Sequence, residues 1–125
     1  MTVNENSRAM LAVAADAADA KGAEDLVALD VSGPLPLVDV FLIATGRNER
    51  NVGAIADAIE DALLEAGHKR VRREGRREGR WVLLDFGDLV AHVFHEDERE
   101  YYALERLWKD CPIVLITLSN PAPVE

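Results

Sequence analysis

Residues 38–45 constrain the fold of this chain more than any other segment. Their core, VFLIA, is continuously apolar, whereas a strand with one face in water alternates apolar and polar residues. The segment therefore predicts a strand inside a sheet, with helices covering both faces of the sheet at that point. Thr45-Gly46-Arg47-Asn48 then leads into a helix of about 18 residues, whose apolar side chains follow the 3.6-residue period and which ends at Gly67.

Further helices and strands are predicted on either side of this strand. A first, alanine-rich helix over residues 7–21 ends at Gly22. A last helix, over residues 97–108, begins at Asp97, and Glu100 completes a capping box there. The remaining strands are predicted over residues 26–31, 69–74, 81–85 and 89–94.

The order of these elements predicts an α/β fold. The last two strands pair as an antiparallel hairpin around Phe86-Gly87, and residues 75–79, GRREG, are expected to form a mobile loop. We expect one compact domain over residues 1–110, built on a mixed β-sheet of about five strands with helices packed on it. Residues 111–125 are a C-terminal tail, which supplies either a further strand or a docked arm.

Length and composition exclude several classes of protein. A chain of 125 residues with 49% hydrophobic and 30% charged residues suits one globular domain. Cys111 is the only cysteine, which excludes a disulfide framework and a thiolate metal cluster. The longest apolar run, residues 9–15, is too short to span a membrane, and acidic residues flank it, unlike a signal peptide. We expect a cytoplasmic protein.

The charges are unevenly distributed. Residues 68–80, HKRVRREGRREGR, carry seven of the 14 basic side chains and only two acidic ones. The rest of the chain has seven basic and 21 acidic side chains, a balance of −14. Such a body repels nucleic acid and attracts basic proteins. The basic segment 68–80 is either a solvated edge strand and loop, which we favour, or a local phosphate contact.

Asp85, Asp88 and His92 raise the possibility of a metal site. Side chains three residues apart on a strand point to opposite faces, so Asp85 and Asp88 converge only if the turn folds them together. His92 and His95 have the same unfavourable spacing. Aspartates around a tight reversal accept hydrogen bonds from turn amides without any metal. We therefore favour a structural turn, and a hydrogen-bonded core role for His92.

The segment Thr45-Gly46-Arg47-Asn48 could in principle hold a phosphate at the start of the following helix. It has a single glycine, however, and neither a Walker lysine nor the spacing of a dinucleotide fingerprint. A simple strand-to-helix turn with Asn48 as the N-cap accounts for the same residues.

Three segments of the sequence together resemble the bacterial ribosomal silencing factor family, also called Iojap-like. These are DVFLIATGRNERNV, REGRREGRWVLLDFGDLVAHVF and DEREYYALERLW, in the order and spacing of the family. The resemblance runs from about residue 9 to residue 108. The tail CPIVLITLSNPAPVE looks like those of the actinobacterial branch.

The resemblance implies a function that the residues alone do not reach. Members of the family bind the large ribosomal subunit through the universal large-subunit protein numbered fourteen (the L-fourteen protein). They block association with the small subunit and so repress translation when nutrients are scarce. The implied fold is similar to a nucleotidyltransferase domain that has lost its active site, with no catalytic residue, cofactor or metal.

The resemblance also implies eight signature residues at a protein-binding face. They shape or contact a protein-binding face and comprise Trp81, Asp85, Asp88, His92, Arg99, Tyr101, Tyr102 and Trp108. A neighbouring contact with rRNA is expected from Arg72, Arg73, Arg76 and Arg77. Because a face rich in tryptophan and tyrosine is costly to leave in water, we expect the free protein to form a homodimer.

Two other functions stay open at the level of sequence. A metal-dependent nucleotidyltransferase would use Asp39, Asp85 and Asp88 as converging carboxylates. An RNA-binding module would use the arginines of residues 69–80, although that segment lacks interleaved aromatic residues for base stacking.

Overall fold

Two helices and six strands make up the described part of the chain. The computed structural model describes residues 5–33, 35, 37–76, 80–97, 111–116 and 118. The helices are α1 (Glu5–Ala20) and α2 (Glu49–Glu65). The strands are β1 (Glu24–Asp30), β2 (Val40–Gly46), β3 (Arg72–Arg76), β4 (Trp81–Asp85), β5 (Leu89–His95) and β6 (Ile113–Val114).

The strands form one mixed sheet in the order β3-β4-β5-β2-β1-β6. β2 and β5 run parallel at its centre, and the other neighbouring strands are antiparallel. The predicted mixed sheet and the β4–β5 hairpin are therefore confirmed. A sixth strand arises because Val114 and Ile113 in the tail pair with Ala28 and Leu29 of β1.

Every residue of β2 is buried, as its continuous apolar run predicts. α1 and α2 pack together on one face of the sheet, the helix face, over a core that includes Leu42, Val93 and Ile55. Leu29, Phe41, Ile43 and other side chains form a second core on the opposite face.

The expectation of helices on both faces is therefore confirmed for one face. Both described helices lie on the helix face. The helix predicted over residues 97–108 lies almost wholly outside the described residues, so cover of the opposite face by that helix stays a prediction. Neither described helix combines the length and the apolar character that a bilayer-spanning helix needs.

The ends of α2 are formed as predicted. Asn48 is the N-cap, and its side-chain Oδ1 accepts a hydrogen bond from the backbone N–H of Asn51 at 2.7 Å. At the other end, the N–H groups of Gly67 and His68 donate to the carbonyls of Leu64 and Leu63. This is the hydrogen-bond pattern of a Schellman C-cap, which satisfies carbonyls that the helix leaves without an internal donor.

The edge strand β3 starts and ends later than the sequence predicts. Arg72 pairs with Asp85, the last residue of β4, so Lys69 and Arg70 have no β4 residue opposite them. At the other end, Gly75 and Arg76 pair with Val82 and Trp81. The prediction of a mobile loop over residues 75–79 is therefore wrong for residues 75 and 76, and residues 77–79 lie outside the described residues.

We predict that Gly46→Ala lowers the free energy of unfolding by about 2 kcal/mol or more, because overpacking a tight core strains it. A Cβ atom at Gly46 would lie 2.7 Å from Cγ2 and 2.9 Å from the backbone N of Val52, so the start of α2 would have to move away from β2. Urea unfolding measures the change.

Gly53→Ala is the matched control, because a Cβ atom at Gly53 in α2 meets nothing within 4 Å. Alanine should there stabilise the helix by about 0.5–1 kcal/mol. Equal effects of the two substitutions would contradict the close approach of β2 and α2 at Gly46.

Candidate functional site

The turn between β4 and β5 is closed by its own aspartate. Oδ1 of Asp85 accepts a hydrogen bond from the N–H of Gly87 at 2.8 Å, and the N–H of Phe86 donates to the carbonyl of Leu89 at 2.9 Å. Gly87 has a φ of +87°, a backbone conformation that glycine adopts without strain. The structural interpretation of this Asp-Phe-Gly-Asp turn is confirmed.

Asp88 ties the turn to the start of β2 and to α1. Its carbonyl accepts hydrogen bonds from the N–H groups of Asp39 and Val40 at 2.8 and 3.1 Å. Its carboxylate accepts from the Asn6 amide at 3.5 Å, and the carboxylate of Asp39 accepts from the buried Ser7 hydroxyl at 2.8 Å. The carboxylates of Asp39, Asp85 and Asp88 thus have separate protein partners.

The described residues include no cluster of three or more histidine, cysteine, aspartate or glutamate side chains arranged to hold a metal ion. Side chains of the same loop also occupy two backbone amides after β2. The N–H of Arg47 donates to Oδ1 of Asn51 at 2.9 Å, and the N–H of Asn51 donates to Asn48. The Asn51 amide also donates to the carbonyl of Lys21 at 2.9 Å. These hydrogen bonds connect the end of α1 to the start of α2, and they agree with the predicted structural strand-to-helix turn.

Four rings lie together on the sheet side opposite the helices, and we call this largely buried cluster the aromatic face: Phe41, Trp81, His92 and Phe94. Trp81 and Phe94 are cross-strand partners whose rings stack at 4.8 Å between centroids. Phe41 meets His92 edge-on, also at 4.8 Å. Aromatic pairs of this geometry contribute beyond the area they bury.

His92 orients the indole of Trp81. The indole Nε1–H donates to Nδ1 of His92 at 3.4 Å. His92 is only 6% exposed, whereas Trp81 is half-buried. His92 is thus an inner ring of the aromatic face, and Trp81 is its more exposed ring. The predicted core role of His92 is confirmed.

The predicted site residues fall into four groups. Trp81 and His92 are in contact on the aromatic face. Asp85 lies on the same side of β4 as Trp81 but four residues on, about 13 Å along the strand. Asp88 belongs to the turn, beside α1. The remaining four predicted residues lie outside the described residues and stay predictions: Arg99, Tyr101, Tyr102 and Trp108.

Phe41 and Phe94 were not predicted as part of this surface. The signal for them is the alternation of the strands: Phe41 and Ile43 in β2, and His92 and Phe94 in β5, point to the same side of the sheet. In a continuously apolar strand, hydropathy does not show which residues share a face. The alternation of side chains along the strand does, because every second residue points to the same side.

The basic segment 68–80 is divided between the two faces of the sheet. Arg73 faces α2, and its Nη1 lies 2.8 Å from Oδ1 of Asp57 and 2.9 Å from Oε1 of Glu60. Arg70 pairs with the other oxygen of Glu60 at 3.2 Å. Burial lowers the pKa of the Arg73 guanidinium, but the hydrogen bonds and charges of Asp57 and Glu60 outweigh burial and leave that pKa raised.

Arg72 lies on the other face. Its Nη1 is 2.8 Å from Oε2 of Glu74, and its Nε is 3.6 Å from Oδ2 of Asp85. Arg80, at the end of the segment, pairs with Asp97 at 3.3 Å. Residues predicted as a solvated basic surface therefore form ion pairs with acids of the same chain.

The family model described as "Ribosomal silencing factor during starvation" matches residues 4–124. The chain belongs to the ribosomal silencing factor family. The resemblance seen in the three sequence segments is thereby confirmed.

Individual members of the ribosomal silencing factor family are closely similar over most of the chain. Ribosomal silencing factor RsfS of Bacillus subtilis is 49% identical over 108 residues, which cover 86% of this chain and 92% of that protein. A crystal structure from Bacillus halodurans has 45% identity and a TM-score of 0.77, and covers 87% of this chain and 99% of its own. A Chromobacterium violaceum structure has 32% identity and a TM-score of 0.79, and covers 98% and 92%.

We predict that Asp85→Ala lowers the free energy of unfolding by about 1 kcal/mol, the typical value of one hydrogen bond, because it leaves the Gly87 amide without its acceptor. Asp85→Asn keeps an acceptor oxygen and should cost less than about 0.5 kcal/mol, since the ion pair it removes is partly exposed. Urea unfolding of the two variants measures the difference. If Asp85→Asn is as destabilising as Asp85→Ala, the charge of Asp85 rather than the turn hydrogen bond stabilises the hairpin.

Proposed function

We propose that this protein binds the large ribosomal subunit through the L-fourteen protein, blocks association with the small subunit and so represses translation under nutrient limitation. The observation that carries the proposal is the family match over residues 4–124. The 49% identity with a protein named ribosomal silencing factor, over 92% of that protein's length, supports it.

We propose that the partner contacts Trp81, at the edge of the aromatic face, and the adjoining hairpin rim, because Phe41, His92 and Phe94 are buried. Tryptophan and tyrosine dominate the energetics of many interfaces. Trp81 is half-buried and is held by stacking on Phe94 and by its hydrogen bond to His92. An anchor whose rotamer is already fixed loses little conformational entropy on binding. Together with Asp85 at the rim we propose the contact residues Arg99, Tyr101, Tyr102 and Trp108.

The charge of the chain favours a basic protein partner over free RNA. Outside residues 68–80 the balance is −14, which would accelerate encounter with a basic ribosomal protein. Within that segment, Arg72 and Arg73 already pair with carboxylates of the chain. For a neighbouring contact with rRNA we propose Arg72, Arg73, Arg76 and Arg77, and such a contact would require Arg72 and Arg73 to leave these carboxylates.

We also propose that the protein acts by binding and not by catalysis. A nucleotidyltransferase needs carboxylates that converge on a metal pair. Here Asp39 accepts from Ser7, Asp85 closes its turn and pairs with Arg72, and Asp88 accepts from Asn6. Rearranging three separate carboxylates would require these contacts to break.

Tyr102→Ala is predicted to weaken binding to the purified L-fourteen protein by about 2 kcal/mol or more, which is about a 30-fold loss, the scale of an interface hot spot. Calorimetric titration measures the affinity, and sedimentation of the free protein beforehand establishes whether a homodimer competes for the same face. Addition of the protein to isolated subunits should in parallel lower the yield of joined ribosomes.

The matched control reverses two charges in the basic segment, Arg76→Glu with Arg77→Glu. Affinity for the purified L-fourteen protein should change by less than about 0.5 kcal/mol, because rim charges act mainly on the association rate. Arg76 lies opposite Trp81 in the β3–β4 ladder, so loss of binding in this control, with Tyr102→Ala unaffected, would show that charges of the basic segment and not the aromatic anchors carry the interface.

Incubation with nucleoside triphosphates and Mg²⁺ is predicted to give neither turnover nor metal-dependent nucleotide binding. The reason is the separation of Asp39, Asp85 and Asp88 into different hydrogen-bond partnerships. Labelled nucleotide transfer and equilibrium dialysis measure the two activities. Turnover that Asp85→Asn abolishes would favour the enzyme alternative.

A further inference from the structure

Arg72 lies on the face of the sheet that we propose for partner binding. In the β3–β4 ladder Arg72 is directly opposite Asp85, and Glu74 is opposite Leu83. Side chains two residues apart on a strand share a face, so Arg72 and Glu74 lie on the same side as Asp85 and Trp81. Arg73, the next residue, lies on the helix face against α2.

The guanidinium of Arg72 stands between two carboxylates. Nη1 lies 2.8 Å from Glu74, and Nε lies 3.6 Å from Oδ2 of Asp85. The other oxygen of Asp85 accepts the hydrogen bond from Gly87. The Asp85 carboxylate is thus held at one oxygen by the turn and faces Arg72 with the other. Without the guanidinium, two negative charges on one face would repel each other.

These contacts contribute orientation more than stability. The side chain of Arg72 is 59% exposed, and those of Glu74 and Asp85 are 32% and 23% exposed. Exposed ion pairs add little to folding free energy. A planar guanidinium can, however, bridge two acceptors in a fixed geometry, which a lysine ammonium cannot reproduce.

We propose that Arg72 is a positioning residue of the partner-binding face: bridging Glu74 and Asp85, it holds the Asp85 carboxylate in the orientation in which the partner protein meets it. The inference rests on the proposed function, because it takes Asp85 as a contact residue. It assigns Arg72 a task within the protein–protein contact and not one at rRNA phosphates.

The rate constants of binding separate orientation from charge. Removing Arg72 makes the chain more acidic, so long-range attraction to a basic partner does not fall. A carboxylate that is no longer oriented makes a poorer contact in the complex, and such losses appear in the dissociation rate. A direct phosphate contact or a general charge effect would instead alter the association rate and its salt dependence.

The experiment measures association and dissociation of the full chain on immobilised, purified L-fourteen protein, and in parallel on isolated large subunits. Arg72→Ala should raise the dissociation rate about 5-fold or more on both surfaces, as expected for groups coupled in one network. The association rate should stay within about 2-fold and the urea unfolding midpoint should not change. Arg72→Lys keeps the charge and should still dissociate faster than the wild type.

Arg73→Ala is the matched control on the helix face. It removes the ion pairs with Asp57 and Glu60, so its unfolding midpoint should fall while its dissociation rate stays within about 2-fold of the wild type. In an Asp85→Asn background, Arg72→Ala should change the dissociation rate by less than about 2-fold, since the oriented carboxylate is already gone.

Three results would overturn the positioning role while leaving the proposed function intact. They are full restoration of slow dissociation by Arg72→Lys, an effect of Arg72→Ala on large subunits alone, and equal effects of Arg72→Ala and Arg73→Ala. If the wild-type chain bound neither surface, the proposed function would be overturned, and the role of Arg72 with it.

Discussion

The parallel pairing of β2 with β5 is the constraint on which the rest of the structure depends. Seven consecutive residue pairs, from Val40 with Leu89 to Gly46 with His95, form this central ladder. A parallel connection cannot be made by a tight turn, so the chain between the two strands must cross the sheet. α2 makes that crossing. The chain then forms β3 and β4, which lie on the side of β5 away from β2. The amphipathic character of α2 and the glycine contact at Gly46 both follow from this route.

The same central pair gives the sheet two chemically different sides. On the helix face, small and aliphatic side chains such as Ala44 and Ala91 let the helices pack closely. On the other side, Phe41, His92 and Phe94 fill the corresponding positions. The hairpin then extends this second side outward, with Trp81 stacked on Phe94 at one end of β4 and the Asp85 turn at the other. Rings that pack in the interior thus continue outward to Trp81, which is half-buried.

Most of the fold was predictable because its signals are local. The apolar run of β2, the Asn48 cap, the end of α2 at Gly67 and the turn at Gly87 each depend on a few adjacent residues. The limits of β3 were not predictable, because they depend on which residues of β4 lie opposite. The division of the arginines between two faces likewise depends on pairing register and on the placement of Asp57 and Glu60. For the site, the turn role of Asp85 and the core role of His92 came from the sequence, whereas the contact of His92 with Trp81 needed the fold.

The opposite facing of Arg72 and Arg73 has a consequence for how the edge strand keeps its alignment. Among the described strands β3 pairs with β4 and with no other, and a shift of one residue in either direction would turn every β3 side chain to the other side. Because Arg72 and Arg73 are both arginines, an exchange of their sides would still leave one guanidinium on the side of Asp85 and one on the side of Asp57 and Glu60. Glu74, however, would move to the side of Asp57 and Glu60 and face two like charges. Glu74, the acidic residue of the basic strand β3, therefore disfavours a register shift. The five-residue edge strand keeps one register in spite of its repetitive sequence.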